Sequence, residues 1–209
     1  DNPSISPEQF EGLAKLRNIL YSINIIPLIE SGTLLGWYRE CGLIHYTSDM
    51  DLAVMYSDWD ERLTKALLLN DEFDLHWILG QQNDSLEYTV YYKQARIDIF
   101  IFYSGEKEYW TGGMVPSSRV KLKYSFPIPT GYCAVVLLNE LFHAPCNAFD
   151  YIVTIYGPDF DKTVKQSQFV WYSTPNNVHR VSVYPKENFD QVYVTDKQKM
   201  MNIYKPVVP

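Results

Sequence analysis

The chain of 209 residues has only three cysteines, no basic run longer than "RVKLK" at 119–123 and no apolar stretch longer than "CAVVLL" at 133–138. Each scarcity excludes something. Cys41, Cys133 and Cys146 fit neither a metal-ligand spacing nor a complete disulfide framework, and at most one bridge can form. Buried free thiols packing as small hydrophobes are the expectation. With a net charge of −7 and no block of Lys or Arg, the release of counterions that drives polynucleotide binding has little to work with. A nucleic acid polymer is therefore not an expected partner. Six apolar residues are too few to span a bilayer, and nothing near residue 1 resembles a signal peptide. The opening "DNPS" lacks a methionine, which suggests a trimmed or processed form with any membrane tether upstream. Neither repeats nor low-complexity tracts occur.

What is abundant is aromatic. Tyr 17, Phe 10 and Trp 5 make up 15% of the chain, and "YWTGGM" and "FVWYSTPNN" place them among polar residues. Tyr and Trp combine an apolar face with a polar tip, which suits a wet ligand such as a sugar; a Tyr-rich core and rim is the plainer reading. With 46% hydrophobic and 21% charged residues, one globular domain over 1–209 is expected, with its core at about 7–160 and a C-terminal wrap at 161–209.

Along the chain, "SPEQFEGLAKLRNILYSINI" predicts an amphipathic helix with a Ser6/Gln9 capping box, Pro7 at the first helical position and Phe10, Leu13, Leu16, Ile19, Leu20 and Ile23 on one face. "IIPLIE" at 25–30 predicts a short buried strand at an edge or with Pro27 at its end. "SGTLLGWYRE" then turns into a short helix. A strand over 49–55 and a helix from Ser57 to Asn70, capped by Ser57, follow. "DLHWILG", "SLEYTVYYK" and "ARIDIFIFY" read as three further strands, and "NAFDYIVTIYGP" as a helix stopped by Gly157. The expected fold class is α/β (α+β), a mixed sheet flanked by helices.

Chemistry concentrates in "SGTLLGWYRECGLIHYTSDMDLAV". Asp49 and Asp51 open an apolar strand and, at i and i+2, project onto one face about 7 Å apart. Asp58/Asp60 and Asp159/Asp161 share the spacing, but helix capping explains the first pair and a solvated loop the second. Two like charges beside a core are costly unless a cation lies between them. Asp98 is the one acid inside the apolar strand "ARIDIFIFY". If that strand lies beside 49–55, Asp98 completes a three-carboxylate cluster suited to Mg²⁺ or Mn²⁺; otherwise it pairs with Arg96. Gly32 and Thr33, after a strand and opening a helix, aim backbone N–H groups and a hydroxyl outward, where phosphate is the natural occupant.

The order Gly-Thr, then D-x-D, then a later strand acid matches the nucleotidyltransferase superfamily linked with polymerase β. "SGTLLGWYRECGLIHYTSDMDLAV" resembles the signature of the LicD/fukutin family, and "FHAPCNAFDYIVTIYGPDF" is similar to that family's second region. Cys41 after "WYRE" brings the match closer to the fukutin branch than to bacterial choline-phosphate enzymes. The resemblance implies a metal-dependent phosphotransferase of the Golgi or secretory lumen, tethered to the membrane in its full-length form. It would move an alcohol phosphate from a CDP-alcohol donor to a glycan or glycoprotein acceptor and release CMP. By position, Asp49, Asp51 and Asp98 would be catalytic metal ligands, with Gly32 and Thr33 against the pyrophosphate. Arg39 and Tyr46 are further candidates for donor contacts, against readings as a helix-end charge and a packing aromatic. Thr47 and Ser48 stand where relatives often carry acids, and Phe160, Tyr184 and Phe189 stand where they carry Trp, so CDP-ribitol itself is not implied. A true nucleotidyltransferase releasing pyrophosphate and a non-catalytic partner in glycan assembly remain alternatives.

Overall fold

The computed structural model describes residues 5–203, so "DNPS" and the last six residues of the expected wrap lie outside it. The helices are α1 (Pro7–Ser22), α2 (Ser31–Glu40), α3 (Glu61–Leu68), α4 (Ala148–Tyr156), α5 (Phe189–Val192) and α6 (Lys197–Ile203). The strands are β1 (Leu28–Ile29), β2 (Asp49–Met55), β3 (Asp74–Gln81), β4 (Asp84–Tyr92), β5 (Ala95–Ser104), β6 (Tyr109–Val115), β7 (Val120–Phe126), β8 (Tyr132–Leu137), β9 (Glu140–Pro145), β10 (Val178–Val183) and β11 (Tyr193–Val194). They form one mixed sheet in the order β10-β7-β6-β5-β2-β1-β9-β8, with β4 on β5, β3 on β4 and β11 on β3.

β5 organises this sheet. Residues 96–100 lie between β2, parallel, and β4, antiparallel, while Tyr103 and Ser104 pair with β6. Ile97, Ile99 and Ile101 are fully buried on one face, against which α1 packs. Arg96, Asp98, Phe100 and Phe102 alternate onto the other face and line a cleft. α1 carries the expected capping box between Ser6 and Gln9 and buries Phe10, Leu13, Leu16 and Leu20.

Two expectations are corrected and one is resolved. α3 starts at Glu61, not near Ser57: Asp60 is the N-cap and its side chain accepts from the Arg62 N–H, so the helix begins where an acid can satisfy an end donor. Of the two alternatives for β1, the second holds: the strand is interior, pairing with β2 and β9, and Pro27 immediately precedes it at its end. Cys133 and Cys146 form a disulfide across the β8–β9 pair, leaving only Cys41 free and exposed. Antiparallel pairing of Tyr132 with Pro145 brings the two sulfurs together, a contact that spacing alone does not reveal.

Candidate active site

The parallel register of β2 and β5 sets Asp51 opposite Asp98 and Asp49 opposite Arg96. The three acids expected from the sequence therefore share one sheet face, at the floor of a cleft of about 530 Å³. That volume lies within the range of small-molecule sites.

The start of α2 braces Asp51. The Thr33 hydroxyl accepts from the Asp51 backbone N–H at 2.8 Å, the Gly32 N–H donates to Asp51 Oδ2 at 3.1 Å, and the Glu30 N–H donates to the Asp51 carbonyl at 3.2 Å. Asp51 thus sits at the positive end of a helix dipole. Gly36 lets the chain after α2 fold back against the helix, since a Cβ there would lie 2.6 Å from the Gly42 carbonyl. Asp49 Oδ1 accepts from the Thr47 hydroxyl at 3.0 Å. Asp98, 3% exposed, accepts from the Thr89 hydroxyl and is gripped by the Arg96 fork, Nε to Oδ1 and Nη2 to Oδ2 both at 2.9 Å. The guanidinium also lies over the Trp77 ring, 5.1 Å from its centre. Asp98 consequently satisfies both sequence-level readings: it joins the acid group and it pairs with Arg96.

Burial dominates the electrostatics. It pushes the Asp51 carboxyl well above the usual range, with Asp49 and then Asp98 adding repulsion. It raises Asp98 to about 6 against the opposing pull of Arg96 and Thr89. Two acids that sequence reasoning missed behave likewise: Glu30 and Glu87 line the cleft, are almost fully buried and are both pushed up to about 8. Glu30 Oε1 is buried without a hydrogen-bond partner. A signal for Glu87 existed in "SLEYTV", where Glu87 and Thr89 are polar at i and i+2 within an apolar strand. Glu30, closing "IIPLIE", offered no such pattern.

Six carboxylates line the cleft, Asp159 from the segment after α4 joining the five above, and as hard oxygen donors they have a chemistry that fits a divalent cation. Among the described residues no three His, Cys, Asp or Glu side chains are gathered closely enough to hold one as they stand. The Arg96 fork meanwhile occupies both Asp98 oxygens.

The remaining candidates act differently from expectation. Thr33 is 1% exposed and does not line the cleft, so it positions Asp51 and cannot touch a ligand as the side chain stands. Gly32 lines the cleft, but its N–H is already given to Asp51. Arg39 and Tyr46 both line the cleft with their polar tips on the backbone of the segment that follows α4: Arg39 Nη1 donates to the Phe160 carbonyl at 2.9 Å and the Tyr46 hydroxyl to the Val164 carbonyl at 2.9 Å. That segment, including Phe160, Lys162, Val164, Phe169 and Trp171, forms part of the cleft wall. No helix among the described residues is long and apolar enough to cross a membrane.

Residues 24–147 match the family described as LicD/FKTN/FKRP, nucleotidyltransferase domain. An uncharacterised protein of Caenorhabditis elegans, T07A5.1, is 38% identical over 180 residues, 82% of this chain and 47% of its own length. The ribitol-5-phosphate transferase FKTN of Mus musculus is 34% identical over 165 residues, 78% of this chain and 35% of its own length. The chain thus spans about half the length of the worm relative and about a third of the mouse one. Among solved structures, ANT(2")-Ia in complex with adenylyl-2"-tobramycin aligns with a TM-score of 0.41 and 13% identity over 69% of this chain and 72% of that one. With the acid pair, the strand acid and the bracing α2 turn all inside the matched stretch, this chain belongs to the LicD/FKTN/FKRP family.

Proposed function

We propose that this domain is a phosphotransferase that moves an alcohol phosphate, ribitol phosphate or a similar polyol phosphate, from a CDP-activated donor to a glycan hydroxyl. The observation that carries the reading is the Asp51–Asp98 register with Asp49 on the same face, all three lining one cleft. The naming of its FKTN relative as a ribitol-5-phosphate transferase agrees with it. A Golgi or secretory-lumen location, with a tether outside this stretch of chain, belongs to the same proposal.

Asp49, Asp51 and Asp98 would hold Mg²⁺ or Mn²⁺, whose charge would offset that of the donor's pyrophosphate. The chain's own residues do the positioning. Gly32 and Thr33 lock Asp51, Thr89 and Arg96 lock Asp98, and the cleft walls exclude water from the reacting phosphorus. The acceptor hydroxyl oxygen attacks the phosphorus that bears the alcohol, the bond from that phosphorus to the bridging oxygen breaks, and CMP departs with the electron pair. Asp98 takes the hydroxyl proton once Arg96 has loosened its grip.

Asp51→Asn preserves shape and removes one carboxylate charge. Turnover of a CDP-alcohol, read as CMP released, should fall by roughly two orders of magnitude or more. Asp60→Asn, whose side chain caps α3 away from the cleft, should leave turnover unchanged. Equal losses in both variants would overturn the reading, and release of pyrophosphate in place of CMP would identify a nucleotidyltransferase.

A further inference from the structure

The cleft has two chemically different arms. The α2 side is densely charged, with Asp49 and Asp51 beside Arg39, which pairs with Glu40, and Lys162, which pairs with Asp159. On the β3 side the walls are Trp77, Tyr124, Trp171 and Tyr193, and the charged groups are Glu87 and the Arg96 already committed to Asp98. We propose that this aromatic arm is the acceptor subsite and that it seats an uncharged pyranose ring; the assignment rests on the transferase reading above.

Placement is the first argument. Trp77 pairs with Thr89, and Thr89 with Asp98, so the indole stands on the same sheet face two strands from Asp98, about 10 Å away. A ring seated at the edge of Trp77, whose face carries the Arg96 guanidinium, can turn a hydroxyl toward the acids while its body stays outside them.

Unfilled hydrogen-bonding capacity is the second. Trp77 Nε1 and Asn177 Oδ1 are both buried with no partner. Asn177 is 5% exposed, and its Nδ2 donates to the Ser125 carbonyl at 3.1 Å, which fixes Oδ1 as the atom left over. One fixed donor and one fixed acceptor facing the same cleft suit hydroxyl groups, which both donate and accept. Leaving such atoms unpaired is costly, and a polyhydroxyl ligand removes the cost.

Shape and charge complete the case. The Tyr124 hydroxyl donates to the Trp171 carbonyl at 3.1 Å, holding a half-exposed tryptophan at the cleft edge. Gly113 lets both rings pack close to the sheet: a Cβ there would lie 3.2 Å from the Tyr124 ring and 3.9 Å from the Trp171 ring. Aromatic faces cover the C–H faces of a sugar. No lining residue described on this arm offers a free positive charge to a phosphorylated ligand, whereas the Glu87 carboxyl can hydrogen-bond a sugar hydroxyl.

Saturation-transfer NMR on the whole chain with a panel of methyl hexosides and N-acetylhexosaminides tests this, with CMP plus Mn²⁺ as the parallel probe. Wild type should transfer saturation to ring protons of at least one glycoside. Trp171→Ala, an exposed loop position, should weaken that binding about tenfold. Trp77→Phe, which keeps a ring and removes only the N–H, should weaken it severalfold, and both variants should bind CMP as wild type does. No transfer to any glycoside, or unchanged glycoside binding in both variants, overturns the proposal. Loss of CMP binding with glycoside binding intact also overturns it and assigns the arm to the nucleobase. These outcomes are independent of whether turnover releases CMP, so failure of the phosphotransferase reading is separately visible.

Discussion

Thr33 shows how much one hydroxyl contributes to this site. It accepts from the Asp51 N–H while buried at 1% exposure, so no water can replace it. Thr33→Val keeps the shape and strands that N–H, which should cost about 1–3 kcal/mol in chemical denaturation. Turnover should fall as well, because Asp51 loses its brace; a variant with wild-type stability would show that the bond contributes nothing. The sequence made the residue conspicuous and mistook its direction. Asp49, Asp51 and Asp98 were legible because strand alternation assigns faces without tertiary knowledge, whereas Thr33 turns on a contact made across 18 residues. Glu30 and Trp77 were hidden for the same reason: their importance lies in what the fold brings near them.

At the scale of elements, the segment after α4 is held over the cleft by few bonds. The Tyr46 hydroxyl to Val164 and Arg39 to Phe160 are two of them, both from side chains at the cleft edge. Tyr46→Phe should leave global stability within about 0.5 kcal/mol, since the bond is exposed, yet speed hydrogen exchange across residues 159–165. Unchanged exchange there would show that the contact does not restrain the segment. α1, α2 and α4 were readable from caps and periodicity because those signals are local. The β6–β7 hairpin was not, since "YWTGGMV" and "VKLKYSF" show weak alternation and their faces are decided by the cleft on one side and neighbouring strands on the other. The disulfide escaped for a similar reason. It closes a loop of 13 residues of sequence separation between two strands whose pairing had not been read. Reducing it should cost about 3 kcal/mol on the loop-entropy account, measurable as a lower denaturation midpoint in dithiothreitol.

The whole molecule carries a buried anionic excess, and its stability should record that as a dependence on pH. Glu30 and Glu87 are raised to about 8, Asp98 to about 6, and Asp51 well above its usual value, in every case chiefly by burial. Each folded-state value exceeds that of the unfolded chain, so the folded protein binds more protons than the unfolded one between about pH 4 and pH 8. The stability these groups contribute is fully present below the unfolded values and is lost as pH rises through the folded ones. In chelator, the fold should therefore gain on the order of a few kcal/mol on going from pH 8.5 to pH 5. Most globular proteins have little slope there or the opposite one. A divalent cation held by the same carboxylates favours their ionised forms, so saturating Mn²⁺ should flatten or reverse the slope. Denaturation midpoints at pH 5, 7 and 8.5, with chelator and with Mn²⁺, measure both effects. A slope that is the same with and without the cation would separate the buried acids from metal binding, whereas convergence of the two curves at low pH, where protons replace the cation, is the result the acid group requires.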